Sequence, residues 1–248
     1  MRARHLTAAV AVLAVLGVPA CSAGSQDRPA TGATSVAAAG AAPGRVPLQD
    51  RLRAGLLTGD RLPQGFRLNT AEVESTTTGA PHGPASAVPI ASMPCSELGV
   101  ESFMTAHAPP AEDVAVGLDR EPVDHDDLGW SGQEALDRYP PGQAAEVMAA
   151  IRGAAARCAS YTNTLSDGTP LQETVSVTAA GVPADDGLLL HVTSVFPGGT
   201  NRFVDETAFV RTGDVILMVQ EVAEEKPSAD TETVLSAAVA AYRSAAAG

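Results

Sequence analysis

Leu188-Leu189-Leu190-His191-Val192-Thr193-Ser194-Val195-Phe196, Phe203-Val204-Asp205-Glu206-Thr207-Ala208-Phe209-Val210-Arg211 and Val215-Ile216-Leu217-Met218-Val219-Gln220-Glu221-Val222 decide the fold. All three runs are rich in β-branched, aliphatic and aromatic residues. Pro197-Gly198-Gly199-Thr200-Asn201 and Thr212-Gly213-Asp214 separate them. Across Pro183-Ala184-Asp185-Asp186-Gly187 they are preceded by the alternating Thr174-Val175-Ser176-Val177-Thr178-Ala179. A pleated strand sends successive side chains to opposite faces, so alternation bounded by Gly, Pro, Asn and Asp reads as strand. Short turns between consecutive strands predict an antiparallel meander.

Two helical stripes flank this block. Ala144, Val147, Met148, Ile151 and Ala155 fall on one face of a helix over 144–158, started sharply by Pro140-Pro141-Gly142. Thr231, Val234, Leu235, Ala238, Ala241 and Tyr242 do the same over 228–246. Upstream, Leu48–Leu57 suggests a short helix, Phe66–Thr76 and Val114–Leu118 extended chain, and Ser96–His107 a helix weakened by Gly99. Trp130–Tyr139 reads as strand or helix. Strands in series plus two long helices predict an α+β domain: an antiparallel meander backed on one side by the two helices.

The first twenty residues carry a different pattern. Arg2 and Arg4 precede an apolar run from Leu6 to Val18, too short for the ~20 residues that a membrane-spanning helix needs. The run ends in Val18-Pro19-Ala20-Cys21-Ser22, which resembles a bacterial lipobox. There the cysteine thiol receives a diacylglyceryl group and the chain is cut just before it. Pro19 departs from the commonest form of the motif. The expected organisation is a signal peptide over 1–20, lipidated Cys21 with a flexible linker to residue 47, and a folded domain over 48–248. An Ala, Gly, Ser, Thr and Pro-rich linker of this length holds the domain roughly 25–30 Å from the bilayer. Cys21 leaves Cys95 and Cys158 as an isolated pair, and in an oxidising compartment such a pair is a disulfide.

With 29 acidic and 16 basic residues, the chain has a formal charge of -13. That balance argues against nucleic acid as partner, since phosphate binding rests on Lys and Arg. The acid-rich stretch 119–130 places Asp124, Asp126 and Gly129 at positions one, three and six of a calcium loop. Leu128 and Ala135 then stand where oxygen ligands are needed, so no metal is expected there. His82, His107, His125 and His191 form no zinc-hydrolase frame. No Gly-x-Ser-x-Gly elbow, Ser-x-x-Lys or phosphate loop occurs, and no cofactor is expected. Trp130, Tyr139 and Arg211 are the candidate ligand contacts. With so few aromatics in the chain, Trp130 and Tyr139 read as core before cleft, and Arg211 could equally form a surface ion pair.

Gly55-Leu56-Leu57-Thr58, Leu62-Pro63-Gln64-Gly65-Phe66, Cys95 after a polar loop, Ala144–Met148 leading to Cys158, and Val210-Arg211-Thr212-Gly213-Asp214-Val215 together resemble the PknH-like extracellular sensor domain family. The resemblance runs over residues 50–246 through loose, non-catalytic motifs. It implies a helix-backed antiparallel sheet with a ligand cleft, in a stand-alone actinobacterial lipoprotein. Kinase-attached members have two disulfides, whereas this chain has cysteines for one. A Mog1/PsbP-like fold is the alternative. The function expected is a non-enzymatic sensor or ligand-binding lipoprotein on the outer face of the cytoplasmic membrane. Its partners would be the membrane through the lipid and an unknown small molecule or envelope protein. A scaffold without a pocket is the second reading and a wall-acting enzyme the third.

Overall fold

Period-two patterning in the chain produces eight antiparallel strands, and the computed structural model describes residues 48–69, 86, 88–100, 103–125, 127–199, 201–221 and 229–247. The signal, the lipidation residue Cys21 and the linker lie outside the described residues, as does the extended reading beyond Asn69. The helices are α1 (Leu48–Arg53), α2 (Phe103–His107), α3 (Gln143–Arg157) and α4 (Asp230–Ala246). The strands are β1 (Phe66–Asn69), β2 (Glu112–Arg120), β3 (Trp130–Arg138), β4 (Ser160–Thr164), β5 (Pro170–Thr178), β6 (Asp186–Val195), β7 (Arg202–Thr212) and β8 (Val215–Glu221). They form one sheet in the order β1-β2-β3-β8-β7-β6-β5-β4. Two meanders, β1–β3 and β4–β8, are joined by a single antiparallel seam that pairs Gly132 with Glu221 and Arg138 with Val215.

The ambiguous stretch after Trp130 is strand. The helix expected over Ser96–His107 is interrupted. A 3-10 turn spans Cys95–Glu97, Gly99 has φ of 88°, and α2 begins only at Phe103. A left-handed residue cannot continue a right-handed helix, so Gly99 ends it.

One expectation is corrected: the two long helices lie on opposite faces. On β6, Leu188 and Leu190 pack with α3 while Leu189 packs with α4. Phe209 joins α3, and Ala208 and Val210 join α4. The cause is legible in β8, where every residue is buried. Such a strand, apolar on both faces, needs cover on both. The α3 layer contains Met148, Ile151 and Phe209, with Phe103 edge-on to Phe209 at 5.8 Å. The α4 layer contains Val234, Leu235, Leu217 and Trp130. On the second face β3 approaches β8 so closely that a Cβ at Gly132 would lie 2.1 Å from the Gln220 carbonyl oxygen. Only glycine fits there.

The expected disulfide is present: Cys95 and Cys158 are bonded, with their Cα atoms 5.4 Å apart. It ties the segment ahead of α2 to the C-terminal end of α3. Arg157 reinforces the junction, its Nη2 donating to the Met93 carbonyl at 2.7 Å.

Candidate functional site

Helix α3 covers only part of its face of the sheet. It packs over Val175, Leu190, Met218 and Ala135. Two residues further along the same strands, hence on the same face, stand Glu173, Val192, Gln220 and Gln133. Asp205 on β7, and Tyr161 and Asn163 on β4, complete the row. These side chains come from six adjacent strands and form the floor of a cleft of about 360 Å³. Ser96–Val100, just after Cys95, supplies Ser96, Leu98, Gly99 and Val100 to the opposite wall, and Glu221 closes one end. The volume lies within the range of small-molecule sites.

Hydrogen bonds fix both floor and wall. Gln133 Nε2 donates to Gln220 Oε1 at 3.3 Å, and Gln220 Nε2 donates to the Gly99 carbonyl at 2.7 Å. The wall segment is thus held to the sheet at one end by an amide and to the end of α3 at the other by the disulfide. Gly99 itself is tight against the floor, since a Cβ there would meet Val192 Cγ2 at 3.2 Å. On the other side Asn163 Nδ2 and Ser194 Oγ donate to Glu173 Oε1 at 3.2 and 3.3 Å. The Tyr161 hydroxyl is also hydrogen-bonded to Glu173, and burial followed by that carboxylate raises its pKa. Asp205 has its pKa raised to about 6, by burial first and then by the charge of Glu173. Among the described lining residues there is no Lys, Arg or His.

The three ligand candidates named from sequence are not among the cleft's lining residues. Trp130 is buried on the α4 face. Its Nε1 donates to Thr231 Oγ1 at 3.2 Å, and Thr231 Oγ1 in turn donates to Glu221 Oε2 at 2.6 Å. Phe66 packs against its ring edge. Tyr139 is wholly buried in the α3 layer with its hydroxyl unpartnered. Arg211 donates to the Gly213 carbonyl at 3.0 Å and lies 3.5 Å from Asp185. The three residues are not brought together. The acid-rich turn is built around a cation from within the chain: Arg120 makes paired bonds to Asp127 at 2.6 and 2.9 Å and also reaches Asp230. Asp127 accepts as well from the Val123 and Gly129 amides, and with Arg120 foremost these bonds hold its carboxyl far below the usual range.

Sequence reasoning missed the cleft residues because each is one polar position in a different strand. The available signal was Glu173, which shares its face of β5 with Leu171, Val175 and Val177, and Asp205, which shares its face of β7 with Phe203 and Phe209.

No family model matches this chain. No curated protein matches it either. Among solved structures it is similar to the extracellular domain of PknH from Mycobacterium tuberculosis, with 15% sequence identity and a TM-score of 0.43 over 81% of this chain and 97% of that one. That likeness is too loose to define a family. Among the described residues no helix is long and apolar enough to cross a membrane.

Proposed function

We propose that this chain is an extracytoplasmic, lipid-anchored, non-catalytic sensor that holds a small polar molecule in the cleft between the sheet and Ser96–Val100. One observation carries the reading: six adjacent strands each place a side chain in the same concave site, and most of these are polar. Such convergence on a concave site is what small-molecule recognition requires. The Gln220–Gly99 bond makes the wall responsive to occupancy, because a ligand on the floor competes for or shields that amide. An envelope partner reading the wall would then read the occupied state.

The cleft is tested by filling it. Asn163 is half-exposed on the edge strand β4, so Asn163→Phe adds bulk without disturbing the core. Native mass spectrometry of the full chain, incubated with a small-molecule extract of its producing cells, should show a bound mass that this variant loses. An identical bound mass in both proteins, or none in either, would remove the cleft as a site.

The anchor rests on Arg2, Arg4, the apolar run and Val18-Pro19-Ala20-Cys21. Two acyl chains hold a protein on a bilayer stably, whereas one is marginal. Radiolabelled palmitate should enter the wild-type chain in cells and fail to enter Cys21→Ala. Undiminished label in the variant would sink the anchor.

One observation favours a second reading. Glu173 and Asp205 are neighbouring carboxylates in a cleft, and burial raises the pKa of Asp205 to about 6, as a general acid requires. Hydrolysis of a glycan by the full chain, abolished in Asp205→Asn, would establish an enzyme in place of a sensor.

A further inference from the structure

We infer that the cleft takes a ligand presenting a protonated amine to Asp205 and Glu173. The inference deepens the reading of the cleft as a small-molecule site and rests on it. Three observations lead to the amine.

The first is the balance of donors and acceptors. Asn163, Gln133 and Gln220 each commit an amide N–H within the site, to Glu173, Gln220 and the Gly99 carbonyl respectively. The Tyr161 hydroxyl is committed to Glu173 as well. Asp205, by contrast, receives no hydrogen bond among the described residues, so both of its oxygens remain acceptors for a ligand. A carboxylate is acceptor-only when ionised, and an ammonium is donor-only, with up to three N–H groups. Each of these amides keeps a second N–H, but its position is fixed by the bond already made, and Asp205 offers a ligand a carboxylate that no protein donor occupies among the described residues.

The second is charge. The carboxylates of Glu173 and Asp205 face the site, a third acid, Glu221, closes its end with Oε2 bonded to Thr231, and no Lys, Arg or His lies among the described residues that line it. An anionic ligand would add to their repulsion and a neutral one would leave it. A cation between them relieves it, with charge-assisted bonds about twice as strong as neutral ones. Among the described residues no group of three His, Cys, Asp or Glu side chains is placed to hold a metal ion. An organic ammonium needs no such cage, since hydrogen bonds to one or two carboxylates hold it.

The third is shape. Val192 in the floor and Leu98 in the wall give the site an apolar side, and the Tyr161 hydroxyl is bonded to Glu173. An ammonium carried on a short carbon skeleton suits a pocket with one anionic corner and one apolar side, and an aromatic face adds attraction for a cation. Calcium, which is strongly hydrated and takes six to eight oxygens, does not suit it.

The test uses matched pairs that differ only in the amine: putrescine against N-acetylputrescine, and glucosamine against N-acetylglucosamine. Calorimetric titration of the full chain at pH 7.5 should show the amine of at least one pair binding roughly tenfold or more tighter than the twin acetylated at that nitrogen. Asp205→Asn and Glu173→Gln should each erase most of that difference, with both variants still melting cooperatively. Affinity should also rise from pH 5 toward pH 7, as Asp205 ionises around pH 6, and level off above. Equal binding within both pairs, amine binding untouched by Asp205→Asn, or calcium chloride binding where no amine does would each overturn the inference. So would silence from every probe. The cleft itself is judged apart, by whether Asn163→Phe loses the mass that the wild-type chain retains.

Discussion

Replacing Cys95 and Cys158 together by alanine lowers the stability of the domain by about 4 kcal/mol, the chain-entropy cost of releasing so long a loop. For a domain of this size the melting temperature falls by roughly 10 °C. Urea denaturation of the double variant against the oxidised protein measures it, and a loss below about 1 kcal/mol would mean that the unfolded chain is not constrained by the bond. The sequence separation of 63 residues sets the size of the effect. The location sets its functional weight. The bond anchors one end of the segment that walls the cleft, and Arg157 adds a contact to Cys95 Sγ at the same corner. The variant should therefore lose affinity for any cleft ligand by more than Asn163→Ala does, because one end of the wall is released and the Gln220–Gly99 bond alone must then place it.

Glu134 gives the second large effect, and its sign runs opposite to the usual carboxylate. It points from β3 into the α4 layer, is fully buried, and accepts one bond, from the Leu57 amide at 2.8 Å; its other oxygen has no partner. Burial pushes its pKa up to about 8, opposed in part by the Leu57 bond. The folded state therefore keeps this proton where the unfolded chain releases it. Stability is full below about pH 4.5, falls as the pH rises, and flattens above about pH 8. Asp137, buried and next to Asp113, has a pKa raised to about 7 and acts in the same direction. Chemical denaturation from pH 5 to pH 8.5 should show a fall of several kcal/mol in the wild type. Glu134→Gln, which keeps an acceptor for Leu57, should remove most of it, and the further change Asp137→Asn should flatten the remainder. An unchanged slope in Glu134→Gln would show that the carboxyl is ionised and solvated in the fold. A leucine at 134 would confuse the result, because the Leu57 N–H would lose its acceptor.

What could be read from sequence followed the range of the interaction. Strands β5 to β8 were visible because local alternation and Gly- and Pro-rich turns define them, and α3 because its apolar stripe is local too. The pairing of Cys95 with Cys158 came from compartment and count. β4 was not legible: Ser160-Tyr161-Thr162-Asn163-Thr164 is a short polar edge strand without an apolar face. The placement of α3 and α4 on opposite faces was written in the unbroken apolar run Val215–Val219, but period-two reasoning looks for one buried face and passes over two. The cleft lay furthest from view. Its residues share a site only because the register sets Glu173 against Ser194, Val192 against Asp205, Thr207 against Gln220, and Gln220 against Gln133. Trp130 and Tyr139 drew attention by rarity and size, yet large rings serve burial first.

The single seam between β3 and β8 also governs the order in which the molecule can assemble. Strands β4 to β8 pair in sequence order across short turns, whereas the seam joins β3 to β8 across all of the intervening second meander. Until then β3 has an open edge, and the Gln133 and Gln220 ends of the cleft floor are apart. Non-local pairing of this kind is slow because the chain between must first be drawn together. A ligand that needs both amides therefore finds no site on a partly made chain. The cleft floor is complete only when β8 is in place.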